Sequence, residues 1–137
     1  MSEERKKRLA KLVKLENRLK AFHESRHAGH LADANRASAE ADEVRARFDE
    51  PESLSALFPE LYHRKVETSV AAQAAALERA KAEERRIAAA TVRTNRVGER
   101  YREAARTVEE QRAARERQEL VDRNAGWPGK GSKPATS

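Results

Sequence analysis

The sequence contains no cysteine, which excludes disulfide bonds and cysteine-based metal sites. One Trp, two Tyr and three Phe among 137 residues are too few to fill a globular core. Four Pro and five Gly disfavour a turn-rich β-sandwich. No apolar run approaches the about 20 residues of a membrane span, and the basic, amphipathic N-terminus lacks the apolar stretch of a secretory signal. What is abundant is Ala, Glu, Lys and Arg, a composition typical of long helices and coiled coils.

The net charge of +6 is divided into blocks along the chain. Residues 1–20 carry +5, residues 21–63 carry −5, and residues 64–137 carry +6. An antiparallel helical hairpin places the acidic block at its turn and brings the two basic blocks together at the other end. We therefore expect a hairpin with one acidic and one basic end.

A first long helix is predicted over residues 3–48, capped by Ser2 and started by Glu3 and Glu4. It carries two apolar seams with coiled-coil spacing, which are out of register with each other. The first seam consists of Leu12, Leu15, Leu19 and Phe22. The second seam consists of Ala34, Ala37, Ala41, Val44 and Phe48. The segment between them, His23–His30, contains Gly29 and three histidines and predicts a discontinuity in the packing.

Two prolines, Pro51 and Pro59, bracket the predicted turn at residues 49–59. Between them, Leu54, Leu57 and Phe58 are suited to plug the end of the hairpin. A second helix is predicted over residues 60–124, ended by Gly126. Residues 126–137 are predicted to form a disordered tail. The fold class is thus all-α, an antiparallel coiled-coil hairpin formed by residues 1–125.

Two seven-residue series describe the packing stripe of the second helix. The stronger consists of Ala80, Ile87, Thr94, Tyr101 and Val108. The weaker consists of Val70, Leu77, Glu84, Thr91, Gly98 and Ala105. Over both helices, the predicted packing residues with large side chains are Leu12, Leu15, Leu19, Phe22, Val44, Phe48, Leu77, Ile87, Tyr101 and Val108.

The second helix is longer than the first, so its end should extend beyond the hairpin. Apolar positions stop after Val108, and residues 109–119 are nearly all charged or amide-bearing. Leu120 and Val121 then follow as an isolated apolar pair. An unpaired helix of this kind is either frayed or held by another protein, and a partner-binding segment is the hypothesis for these residues.

The closest approach to a chemical site is the trio His23, His27 and His30, which share one helical face. Imidazole is a common zinc ligand, but no fourth ligand is spaced to complete the site, so these histidines are weak metal candidates. No nucleophile elbow and no Gly-rich phosphate loop is present. The sequence therefore predicts a protein that is not an enzyme and has no cofactor or small-molecule substrate.

Two electrostatic alternatives remain open. Nucleic-acid binding is suggested by the dense arginines Arg93, Arg96, Arg100, Arg102 and Arg106. Interleaved glutamates are spaced to pair with them along the helix, and stacking aromatics are scarce, so the sequence disfavours this function. A membrane-surface role for the basic N-terminal helix is the other alternative, although coiled-coil packing explains the same pattern.

The length, the shorter first helix, the polar turn and the charged C-terminal stretch resemble the FliJ family of flagellar type III export proteins, which is related to the YscO-type secretion proteins. The most specific likeness is local, where a Gln/Glu-rich segment leads to an apolar residue and an aspartate. Gln118, Val121 and Asp122 fit this pattern, whereas Arg117 and Arg123 depart from it.

The resemblance implies a stalk-like partner that inserts into the export ATPase ring and promotes its assembly. It also implies contacts with the export gate membrane protein and with export chaperones, in the cytoplasm or at the inner face of the cell membrane. The partner-binding residues would be Arg117, Gln118, Leu120, Val121 and Asp122. A scaffold or chaperone coiled coil of another assembly remains the third reading.

Overall fold

The computed structural model describes residues 2–52 and 54–126, and 94% of this part of the chain is helical. Helix α1 spans Ser2–Phe48, and helix α2 spans Pro59–Ala125. A 3₁₀ turn at Leu54–Ala56 lies between them, and no strand occurs among the described residues. The two long helices pack against each other, which confirms the predicted all-α helical hairpin. The predicted disordered tail lies outside the described residues, apart from Gly126.

Local chemistry explains where the helices begin and end. Glu3 and Glu4 occupy the first turn of α1, where the helix dipole favours negative charge. Pro59 is the first residue of α2, a position at which the missing amide proton costs nothing. At the other end, the amide of Gly126 donates to the Asp122 carbonyl at 2.9 Å and closes the last turn.

The chain divides into two compact units. The larger is residues 15–94, and the other combines the residues up to 14 with those from 95 onward. In the larger unit, α1 packs through an unbroken series of buried and half-buried residues that step by four and three: Glu16, Lys20, His23, His27, His30, Ala34, Ala37, Ala41, Val44 and Phe48. The α2 series has the same spacing: Tyr62, Val66, Ser69, Gln73, Ala76, Ala80, Glu83, Ile87, Ala90 and Thr94.

In the unit that contains the chain ends, the same spacing recurs. Its half-buried α1 residues include Ser2, Lys6, Leu9 and Val13. The α2 residues at equivalent spacing are Val97, Tyr101, Ala104 and Val108, of which Ala104 and Val108 are buried. Val108 is therefore buried where the sequence predicted, and Tyr101 is half-buried on the same face.

Of the two seams predicted in α1, the second, from Ala34 to Phe48, lies on the packing face, but the first is wrong. Leu12, Leu15, Leu19 and Phe22 are 38–54% exposed, each one residue before a member of the packing series. His23, His27 and His30 belong to that series, so they mark no discontinuity. Two stripes of α1 have the same spacing, and the prediction took the more apolar one as the packing face because it relied on hydropathy alone. The true stripe is polar here, and its members Glu16 and His23 contact Arg93 and Glu83 of the facing helix.

In the weaker stripe predicted for α2, the first half is wrong as well, whereas Thr91, Gly98 and Ala105 in its second half are half-buried. Leu77 is 40% exposed and Val70 is 41% exposed. The residues that are buried instead are Ala76, Glu83 and Ala90, each of which comes one residue before a member of the predicted stripe. The stronger stripe is correctly placed, since Ala80 is buried and Ile87 and Thr94 are half-buried. Small alanines and a buried glutamate form the true second row, and neither carries a strong hydropathy signal.

The turn closes differently from the prediction. Leu54, Leu57 and Phe58 are 54%, 73% and 49% exposed, so they do not plug the hairpin. The rings of Phe48 and Tyr62 instead pack edge-to-face with centroids 5.3 Å apart. Ser55 is buried beside them and donates its hydroxyl proton to the Phe48 carbonyl at 3.2 Å.

The alanine rows predict a steric limit on the larger unit. Ala76 is 1% exposed, so Ala76→Leu must push neighbouring atoms apart, and we expect it to lower the free energy of unfolding by about 1–3 kcal/mol. The neighbouring Ala75 is exposed, and Ala75→Leu should change stability by less than about 0.5 kcal/mol. Urea unfolding followed by circular dichroism measures both. Equal losses in the two variants would contradict the assigned packing face.

Candidate functional site

The end of α2 is a helical segment that the other described residues leave almost entirely exposed. Val108 is the last buried residue in the part of the chain that the structure describes, and from residue 114 to residue 126 every residue is exposed. Between Val108 and residue 114, only Ala113 is half-buried. Helix α2 nevertheless continues to Ala125, so its final turns present their side chains on all sides.

All five residues predicted to bind a partner lie on this exposed end: Arg117, Gln118, Leu120, Val121 and Asp122. The amide of Gln118 donates to the Asp122 carboxylate at 2.9 Å, one helical turn away. Val121 lies beside this bridge and is 58% exposed. Leu120 is 53% exposed and lies one residue, about 100°, around the helix. The structure thus joins Gln118, Val121 and Asp122 on one face, with Leu120 on the next.

This end carries both signs of charge in alternation. Between residues 109 and 125 there are four arginines and five carboxylates, and Arg112 pairs with Glu116 at 3.5 Å. Such exposed pairs stabilise a helix only slightly. The apolar pair is therefore the feature of this segment that would gain most from burial against a partner.

Sequence reasoning missed a buried polar cluster in the larger unit. The Glu83 side chain is 1% exposed and accepts three hydrogen bonds. Arg26 Nε and Arg86 Nη1 donate to its Oε1 at 3.0 and 2.7 Å, and the His23 Nδ1 lies 2.8 Å from its Oε2. His23 and Arg26 come from the other helix, 60 and 57 residues away in sequence. The cluster depends on the register between the two helices, so the spacing of residues within either helix does not predict it.

The cluster determines the ionisation of Glu83. Burial alone raises the pKa of its carboxyl, because a low-dielectric surrounding disfavours the charge. The hydrogen bonds from Arg26, His23 and Arg86 outweigh burial and lower the pKa from its ordinary 4.5 to about 2. Glu83 is therefore a carboxylate throughout the neutral range, and it ties the two helices together.

The three histidines proposed as weak metal candidates are placed on the packing face, each with limited access to solvent. His23 contacts Glu83, and the His27 Nε2 lies 3.2 Å from the Glu84 Oε1. Two imidazoles therefore engage two different carboxylates. Within residues 2–52 and 54–126, no group of three His, Cys, Asp or Glu side chains is arranged to hold a metal ion.

The arginine-rich part of α2 is less internally paired than predicted. Arg93 donates to Glu16 of α1 at 3.2 Å. For the part of the chain that the structure describes, no ion pair joins Arg96, Arg100, Arg102 or Arg106 to the interleaved glutamates. The expectation that these arginines are neutralised along their own helix is therefore wrong.

Comparison with known proteins identifies no relative. No protein-family model matches the chain, and no curated protein or solved structure matches it. None of the helices in the described residues has the length and apolar character needed to cross a membrane.

Proposed function

We propose that this protein is a non-catalytic coiled-coil component of a type III protein-export apparatus, of the flagellar FliJ kind. Its principal partner is the export ATPase, whose assembly it promotes. The export gate membrane protein and export chaperones are further partners that the resemblance implies. On this proposal the protein acts in the cytoplasm and at the inner face of the cell membrane.

The observation that carries this proposal is the exposed apolar pair on the extended end of α2. Leu120 and Val121 are 53% and 58% exposed on a helix that continues 17 residues past its last buried position, Val108. Exposed apolar residues on an otherwise charged helix are anchors for a protein partner. The segment also contains the Gln118, Val121 and Asp122 pattern on which the resemblance rests.

The test is binding of the full chain to the purified export ATPase of the same cell. We expect Leu120→Asp with Val121→Asp to weaken binding by about tenfold or more, because two apolar anchors are replaced by charges. Helix content by circular dichroism should stay within a few per cent, since both side chains are exposed and contribute little to the fold. Biolayer interferometry provides the affinities.

The matched control is Leu57→Asp with Phe58→Asp, which changes an adjacent exposed apolar pair at the turn. This variant should bind the ATPase as the parent does. Undiminished ATPase binding by the variant with both Leu120 and Val121 replaced would contradict the assignment of this segment. A loss of helicity large enough to explain weaker binding would contradict it too.

Nucleic-acid binding is the second candidate, favoured by one observation. Arg96, Arg100, Arg102 and Arg106 are exposed and without ion pairs among the described residues, so their charge is available to phosphates. This function predicts an affinity for duplex DNA that falls steeply as the salt concentration rises. Substitution of Leu120 and Val121 should leave that affinity unchanged.

A further inference from the structure

A second exposed apolar stripe lies on α1 within the larger unit. Leu15, Leu19 and Phe22 are 53%, 38% and 54% exposed and are spaced by four and three residues. Each precedes a member of the packing series by one residue, so the stripe lies about 100° around α1 from the face that packs on α2. Exposed apolar side chains in a row mark an interaction surface more than scattered ones do.

Arginines from both helices border this stripe. The Arg26 guanidinium lies over the Phe22 ring, 5.6 Å from its centroid. Arg26 shares the Glu83 Oε1 with Arg86, which places Arg86 of α2 on the same side. Arg93 follows Arg86 by one heptad and bonds Glu16, the residue next to Leu15. We call the surface formed by Leu15, Leu19, Phe22, Arg26, Arg86 and Arg93 the basic groove.

The groove carries an excess of positive charge. Arg18 follows Leu15 by three residues on the same side of α1 and has no ion pair among the described residues. Arg26, Arg86 and Arg93 form their ion pairs there with only two carboxylates, Glu16 and Glu83. Two positive charges are therefore not balanced by carboxylates, and they lie beside the exposed apolar stripe, which is two helical turns long. The other flank of the unit differs, because Leu31 and Leu77 lie there with Glu78, Lys81 and Glu84.

We propose that the basic groove binds an amphipathic α-helix of a protein partner, with the partner's carboxylates over α2 and its apolar residues on the α1 stripe. A groove between two packed helices can bind a third helix whose apolar residues recur at helical spacing. An acidic flank complements Arg86 and Arg93, which sets the orientation of the bound helix. A second copy of the same face would bring arginine against arginine and is disfavoured.

A protein helix also fits better than an anionic membrane. Arg26, Arg86 and Arg93 are each held by carboxylates of this unit, so their guanidinium groups line the groove at fixed positions. Fixed groups suit the defined carboxylates of a folded partner, whereas lipid headgroups need cations that reach outward from an apolar face. This surface is separate from the Leu120 and Val121 segment, so the proposal does not depend on the proposed function.

The test uses two synthetic fluorescein-labelled helical peptides of about three heptads, both with a leucine seam. One carries glutamates along the flank of the seam and the other carries lysines. Fluorescence anisotropy with the full chain at moderate salt should show the acidic peptide binding about tenfold or more tightly than the basic one. Weak, equal or absent binding of both peptides would overturn the proposal.

Matched variants locate the binding surface. Leu15→Ser with Leu19→Ser should weaken binding of the acidic peptide by about tenfold, while Leu31→Ser with Leu77→Ser, on the other flank, should change it less than about twofold. Arg18→Gln with Arg93→Gln should weaken binding and reduce its salt dependence. Arg45→Gln with Lys81→Gln removes the same charge elsewhere and should not. Equal effects in a variant and its control would contradict the assignment.

Two further results would reassign the groove. Sedimentation that shows a dimer of the parent chain, abolished by Leu15→Ser with Leu19→Ser, would make the groove a contact between copies. Binding to vesicles of phosphatidylcholine and phosphatidylserine, lost in the same variant while the acidic peptide fails to bind, would make it a membrane surface. Either result would replace a helical protein partner as the occupant.

Discussion

Truncation of Glu83 to alanine is expected to lower the free energy of unfolding several times more than the same truncation at Glu84. The Glu83 side chain is 1% exposed and accepts bonds from Arg26, His23 and Arg86, whereas that of Glu84 is 63% exposed. Removing Glu83 leaves a gap between the helices and deprives three donors of their acceptor. Urea unfolding at neutral pH measures the two losses.

The neighbouring position makes this comparison well controlled. Both changes replace glutamate by alanine in the same helix and remove one carboxylate next to a histidine of α1. We expect Glu84→Ala to change stability by less than about 0.5 kcal/mol, as is usual for exposed positions. Equal losses at the two sites would show that the buried cluster does not join the helices.

Acid should destabilise the parent chain through Glu83 in a defined window. Its folded pKa of about 2 lies below the ordinary value of 4.5, so its contribution to stability is fully present above about pH 4.5. That contribution is lost progressively as the pH falls from about 4.5 towards 2, because the Glu83 carboxyl binds a proton in the unfolded chain over this range but not in the folded state. Stability should therefore fall with acidification.

The variant Glu83→Gln isolates this contribution, since glutamine keeps the shape of the side chain and does not titrate. The stability difference between pH 7 and pH 3 should be smaller in Glu83→Gln than in the parent, whereas Glu84→Gln should retain most of the parent's difference. Chemical unfolding at the two pH values provides the comparison. An identical pH dependence in parent and Glu83→Gln would mean that the carboxylate is not stabilised in the folded state.

The elements of this fold could be predicted from the sequence because their signals are local. Glu3 and Glu4 mark the start of α1, Pro59 marks the start of α2, and Gly126 follows its end. One row of the α2 packing face could be predicted too, since a heptad series runs from Ala80 to Val108 without a break.

The packing register could not be predicted, because a more apolar stripe competes with the real one. Leu15 and Leu19 have the spacing of a coiled-coil seam, yet Glu16 and Lys20 beside them face α2. The burial of Glu83 depends on Arg26 and His23, about 60 residues away, so its favourable surroundings exist only once the helices are aligned. The exposed end of α2 was predictable because apolar positions stop after Val108.

We propose that the final turns of α2 are the segment through which this protein binds an export ATPase. Hydrogen–deuterium exchange of the full chain, alone and with the ATPase, tests it most directly. The amides of residues 109–125 should exchange fast in the free chain, since the other described residues leave their helix almost entirely exposed, and become protected in the complex. Protection confined to other parts of the chain, or no protection at saturating ATPase, would contradict the claim.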